Sequence, residues 1–206
     1  MKDDRQFELH SEAAALGFYY QAFFALETLV AQSADNAAVA VERLDDVELN
    51  ADGRTLLYQL KHSISATPPP ITIKARALWR TLKVWVDLLP TLTLADTTLH
   101  LVAIGEIPKS SPLRALISND TDRSELVAAM VDEARRVIAA RTEAAKGKKS
   151  LPYGDRADGC EAFLGLSDTE RLNLLRRAHV QQGSCVYREL MLGRNGDEVR
   201  PGRRMN

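Results

Sequence analysis

The chain has 206 residues, of which 45% are hydrophobic and 27% charged, with a formal net charge of −1 and a pI near 6.4. Such values fit one soluble globular domain, or one domain with an extension, whose core is large enough to fold without disulfides or metals. They weigh against a pure DNA-binding module, which usually shows a basic excess, and less against a nuclease, whose basic groups need only line one cleft. Cys160 and Cys185 are too few and too far apart for a disulfide framework or a zinc site, and they read as reduced thiols. The opening MKDDRQFELHSE is polar and mixed in charge, unlike a signal peptide. Ala13–Ala31 is broken by Gln21 and Glu27 and is too amphipathic to span a membrane. The expected location is the cytoplasm.

Glu12–Ala31 is the first predicted helix, with Leu16, Tyr19, Tyr20, Phe23, Leu26 and Val30 at helical spacing. Val39–Glu42, Asp46–Leu49 and Thr55–Leu60 are short strand-like runs. Asn50-Ala-Asp-Gly53 between the last two is a hairpin signal. Ser63–Pro70 is a proline-rich loop. Ile73–Leu89 follows as a helix with Leu78, Leu82, Trp85 and Leu89 on one face and Pro90 as its stop. Thr97–Ile104 is a nearly continuous apolar run, as a buried strand requires.

Beyond Pro108 the pattern becomes helical. Ser124–Ala145 forms a long helix through Leu126, Met130, Val137 and Ile138, then Gly147–Gly159 a loop. Cys160–Leu164 and Ser167–Val180 follow as helices, the second capped by Ser167 or Asp168 with Glu170 in its first turn. The tail from Gly193 is polar and rich in Gly and Arg. Three regions result: a core over 1–107, a helical extension over 108–192, and a disordered tail over 193–206.

Chemistry concentrates in the three strand-like runs. Hydrolysing a phosphodiester calls for a divalent metal, and Mg²⁺ takes hard oxygen ligands, of which the protein supplies one or two. Asp46 offers a carboxylate, Gln59 an amide oxygen and Leu60 its backbone carbonyl, with Glu42 as a further candidate. Alternation along a strand points Gln59 and Lys61 to one side and Tyr58 and Leu60 to the other. Lys61 then stands beside the metal, where it can orient the attacking water or offset charge on the phosphorane. Taken singly, an Asp-Asp pair is usually a solvated turn and a Gln-x-Lys on a strand is usually structural. The acid, the hairpin and Gln-x-Lys in this order make a sharper signal. Glu27 on the first helix is a weaker candidate for the same cleft, and His62 reads as a packing or hydrogen-bonding residue.

Gly17–Leu26 (GFYYQAFFAL), Val41–Leu49 (VERLDDVEL), Leu56–Ser63 (LLYQLKHS) and Ala77–Trp85 (ALWRTLKVW) together resemble the PD-(D/E)xK, or restriction-endonuclease-like, superfamily. The nearest likeness is to double-stranded-DNA nuclease domains of bacterial anti-phage effectors, including those of cyclic-oligonucleotide (CBASS) and ABC-three-component systems. It covers roughly residues 12–105. The resemblance implies an α/β (α+β) fold with an αβββαβ core and a C-terminal helical extension. It also implies a Mg²⁺- or Mn²⁺-dependent double-stranded-DNA endonuclease. Asp46 matches the metal-binding acid, Gln59 the D/E position and Lys61 the lysine. An amide stands where the pattern has a carboxylate, as in Mrr-like restriction enzymes. Expected partners are double-stranded DNA, a separate sensor chain and further copies of the chain; no membrane is expected. Lys146, Lys148 and Lys149, within the basic run Arg135–Lys149, are candidate phosphate contacts. The rival readings are a catalytically silent interaction module of a multi-component defence system and an RNA-directed nuclease.

Overall fold

The computed structural model describes residues 2–61, 68–119 and 121–182. His62, Cys185 and the tail from Gly193 lie outside these. Within them the chain builds one mixed sheet from β1 (Ala38–Val41), β2 (Val47–Ala51), β3 (Arg54–Lys61), β4 (Thr97–Ala103) and β5 (Ala178–Gln182), arranged in chain order. The first three strands are antiparallel neighbours, while β4 and β5 add in parallel. The Asp52-Gly53 turn joins β2 to β3. Both residues have positive φ, 51° and 73°, as the twist of a two-residue hairpin demands.

Parallel strands need a long crossover. Between β3 and β4 it is helix α2 (Arg76–Leu88); between β4 and β5 it is α3 (Ser124–Lys146), α4 (Ala157–Gly165) and α5 (Asp168–Arg177). The helix α1 (Lys2–Val30) precedes the sheet. Strand alternation separates two apolar layers. Tyr58, Leu60, Val47 and Leu49 face α1, where Tyr20, Phe24 and Ala25 cover them. Leu57, Leu99 and Leu101 face the opposite layer, built from Leu78, Trp79, Leu82 and Trp85 of α2 with Met130, Val137, Phe163 and Leu174. Among the described residues no helix is long and apolar enough to cross a membrane.

Two expectations are revised. The helix expected over Ser167–Val180 stops at Arg177, and 178–182 pair with β4 instead. Ala178 and Val180 are buried while Gln181 and Gln182 are exposed, a strand pattern too short to compete with the helical run before it. Residues 108–182, expected as a helical extension, therefore share the sheet and core of the first hundred residues. On α1, the stripe read from the sequence is largely turned outward. Tyr19, Phe23, Leu26 and Val30 are exposed, and it is Tyr20 and Phe24 that meet the sheet.

Helices α2 and α4 touch at Gly159. A Cβ there would sit 2.1 Å from the Trp79 carbonyl oxygen and 2.7 Å from its carbon, both backbone atoms that cannot swing aside. Gly165, at the end of α4, has nothing within 4 Å of such a Cβ. Gly159→Ala should cost about 3 kcal/mol, lowering Tm by about 6–12 °C. Gly165→Ala should leave the melt within about 2 °C of wild type. Equal melts for the two variants would contradict this packing.

Candidate active site

Strand β2 runs alongside β3 only as far as the pair Val47 and Tyr58, whereas β3 continues beside β4 to the pair Lys61 and Ala103. Gln59, Leu60 and Lys61 thus have a ladder partner on one side and a fork on the other. Asp46 closes the fork: its Oδ2 accepts the Leu60 N–H at 2.7 Å, standing in for the carbonyl that a longer β2 would supply. The backbone N–H and C=O of a strand residue point the same way, so the Leu60 carbonyl also faces the fork. The register sets Asp46 across from Gln59 on the α2 side of the sheet.

Asp45, next to Asp46, is not a solvated turn residue. It is 8% exposed, its Oδ1 accepts the Asp46 N–H at 3.0 Å, and its Oδ2 accepts the Trp85 indole N–H at 3.1 Å. Burial raises its carboxyl to about 6, with a smaller upward push from the Asp46 charge and with these hydrogen bonds and Lys61 opposing. Burial also pulls the Lys61 ammonium below its ordinary range, while the charges of Asp46 and Asp45 hold it up. The fork therefore gathers two carboxylates, an amide, a backbone carbonyl and an ammonium.

Lys61 also lines a cleft of about 580 Å³ at the carboxyl ends of β3 and β4. Its walls include Pro68–Ile71, Thr72, Arg76 and Ala103–Gly105. A Cβ on Gly105 would lie 2.2 Å from the Pro69 carbonyl oxygen, so glycine is what lets the two loops meet. Lys74, Arg76 and Arg80 are exposed beside this cleft, and Arg80 is close enough to Lys61 to lower its proton affinity. Sequence pattern alone does not single out Asp45, Trp85, Arg76 or Arg80. Nothing local marks which half of an Asp-Asp pair is buried, and Trp85 lies 40 residues away.

Glu42 adjoins the fork through its backbone, its N–H donating to the Asp46 carbonyl at 3.1 Å, while its side chain and the other candidates are engaged elsewhere. Glu42, at φ 54°, accepts a hydrogen bond of 2.6 Å from Gln21 Nε2 on α1. Glu27 is exposed on α1. Glu48, on the same face as Asp46, is committed to Arg43 and Asn50, and the Arg43 hydrogen bond chiefly lowers its proton affinity. Lys146 pairs with Glu143 in the open, and Lys148 and Lys149 are exposed past the end of α3. The α3–α4 loop is tied to the start of α2 by Arg156, which donates to the Lys74 carbonyl and pairs with Glu133. From Glu133 to Lys146 is about 20 Å along the α3 axis.

Does this donor set suit a metal? Among the described residues no group of three or more His, Cys, Asp or Glu is arranged to hold one. The fork offers hard oxygen donors, the type Mg²⁺ takes, of which both Asp45 oxygens and the Asp46 Oδ2 already accept hydrogen bonds. Comparison of the chain with protein-family models, curated proteins and solved structures found no match.

On the α1 side of the sheet, Tyr58, His100 and His179 form a row across three strands, with ring centroids 4.8 and 5.2 Å apart. Burial, then His179, lowers His100 from 6.5 to about 4. The unfolded chain takes up that proton first, so stability is lost as pH falls from 6.5 to about 4. Asp45 acts oppositely. Between 3.8 and about 6 the folded chain holds a proton that the unfolded chain has lost, so its contribution falls as pH rises. Asp45→Asn removes the second slope and leaves the first. Between pH 6.5 and 4 the variant should lose up to about 3 kcal/mol more than wild type in urea melts. Parallel pH curves would contradict the assignment of Asp45.

Proposed function

We propose that the chain is a metal-dependent endonuclease acting on double-stranded DNA, of the kind that serves as an effector in bacterial anti-phage defence. One observation carries the reading: Asp46 holds the Leu60 amide at the fork, beside Gln59 and Lys61. This juxtaposition supports the PD-(D/E)xK reading that the sequence suggests. Asp46, the Gln59 amide oxygen and the Leu60 carbonyl would hold Mg²⁺ or Mn²⁺. Bound there, the ion would polarise the phosphate and make its bound water a stronger nucleophile. Water adds to phosphorus, a P–O bond to the sugar breaks, and the leaving oxygen takes a proton.

Lys61 sets its ammonium against the negative charge that grows on the phosphoryl oxygens, and partial burial strengthens that interaction. Gln59 is 6% exposed and contributes a dipole without charge. Asp45 offers the second negative charge that the pattern normally draws from the D/E position, one residue from Asp46. Lys74, Arg76 and Arg80, with Lys146, Lys148 and Lys149 farther out, offer phosphate contacts along one side.

A second reading keeps the fold without cleavage, as an interaction module. It draws on the neutral Gln59 and on the Asp46 oxygen already committed to the Leu60 amide. Plasmid nicking with Mg²⁺ or Mn²⁺ separates the two. Wild type should nick. Lys61→Ala should lose at least about a hundredfold in rate with DNA affinity nearly unchanged, because the ammonium acts mainly in the transition state. Asp46→Ala should be inactive, and Gln59→Glu should match or exceed wild type at limiting Mg²⁺. Wild type inactive with either metal, even with its activator and partner chains, would favour the module.

DNA binding has its own test. Arg76→Ala with Arg80→Ala, and separately a Lys146/Lys148/Lys149 triple alanine variant, should weaken binding for all sequences alike. Each should also flatten the dependence of log K on log salt by about 0.9 for every phosphate no longer neutralised. A variant with unchanged affinity and slope removes its cluster from the DNA surface.

A further inference from the structure

Helix α1 buries one side against the sheet through Tyr20, Phe24 and Ala25, and its opposite side is also apolar. Along that side Ala15, Phe18, Tyr19, Ala22, Phe23, Leu26 and Val30 recur at the helical period, with Glu27 as the one charge among the exposed residues from 15 to 30. Phe18 is 62%, Tyr19 67% and Val30 75% exposed, and Val41 of the edge strand β1 is exposed as well. At roughly 200 Å² for a fully exposed ring side chain and less for Leu and Val, the five large residues of α1 amount to about 560 Å² of exposed surface. That is at the top of the ~300–600 Å² range of the largest patch on an ordinary monomer, and with Val41 and the alanines beside it the face approaches the ~800 Å² that each partner buries in a standard interface.

We infer that this face of α1 is where a second copy of the chain docks, the two helices crossing antiparallel about a two-fold axis between Ala22 and Phe23. The stripe is self-complementary in that arrangement. The axis sets Phe23 against Ala22 and Val30 against Ala15, large side chains against small ones, and Phe18 against the methylene stem of Glu27. Tyr19 meets Leu26 of the second copy. The alanines at 15 and 22 leave room for the helices to approach. A parallel pair would set Glu27 against Glu27 of the second copy; the antiparallel one keeps these carboxylates apart. A stripe with one charge offers little to a charged partner, and a net charge of −1 opposes self-association hardly at all. The edge strand β1, Ala-Val-Ala-Val, lies beside the stripe and carries none of the charges or prolines that blunt free sheet edges. The inference stands on the exposed face of α1 alone and does not require the nuclease reading.

Sedimentation equilibrium of the full chain tests it. Wild type should show twice the single-chain mass of 22.8 kDa, dissociating on dilution. Leu26→Glu should raise the dissociation constant at least about tenfold. Its melt should match that of wild type once both are dilute enough to be single chains, because Leu26 is exposed in one chain. Tyr19→Lys should weaken the pair similarly. The double variant Tyr19→Lys/Leu26→Glu should recover affinity, since the register sets the new lysine against the new glutamate. The inference is overturned by a single-chain mass at every concentration, by a dimer that Leu26→Glu leaves intact, or by a double variant no tighter than the single ones.

Discussion

The hydrogen bond from the Leu60 amide to Asp46 is the constraint on which the site depends. It forms where β2 gives out and β3 continues, so it repairs the ladder at the point where two strands part. A backbone amide left unpaired at a buried fork would cost about 1–3 kcal/mol. Asp46 removes that cost with a charged acceptor and in doing so fixes its own carboxylate. The neighbouring amide, carbonyl and ammonium come from β3, whose position is set independently by β4. Geometry at the fork is therefore held by the sheet itself.

Asp45 ties that fork to the core. Its bond to Trp85 spans from the bend before β2 to the buried face of α2, the helix that carries β3 over to β4. The crossover that makes the sheet parallel thus also holds the acid next to Asp46. Its burial raises the Asp45 carboxyl to about 6.

Much of the fold was legible because long periodic runs declare themselves. The helices at α2 and α3, the Asp-Gly hairpin and the four strands through Ala103 all lie within a few residues of their predicted bounds. Strand β5 was not legible. It follows α5 without a break, and its identity is decided by β4, some 80 residues earlier, which offers it an open edge. The same holds at the site. That Gln59 and Lys61 share one side of β3 follows from alternation, which is local. The burial of Asp45 and the approach of Arg80 to Lys61 are tertiary, set by where α2 lands on the sheet.

The outward stripe on α1 exposes a limit of periodicity as evidence. Tyr19, Phe23, Leu26 and Val30 repeat as a core face should, yet the sheet takes the neighbouring row of Tyr20 and Phe24. A helix apolar on two sides satisfies any single-stripe reading, and only packing against the sheet decides which row is used. The row left over is what demands a physical account. Five large apolar side chains along one helix face cost water-exposed surface at ~25 cal/mol for each Å². A cost of that size goes unrelieved on a lone chain and is relieved when the face is covered. Against the sheet, α1 uses one row to complete the fold; the second row, large side chains interleaved with Ala15 and Ala22, is surface that covering by a second copy would remove from water.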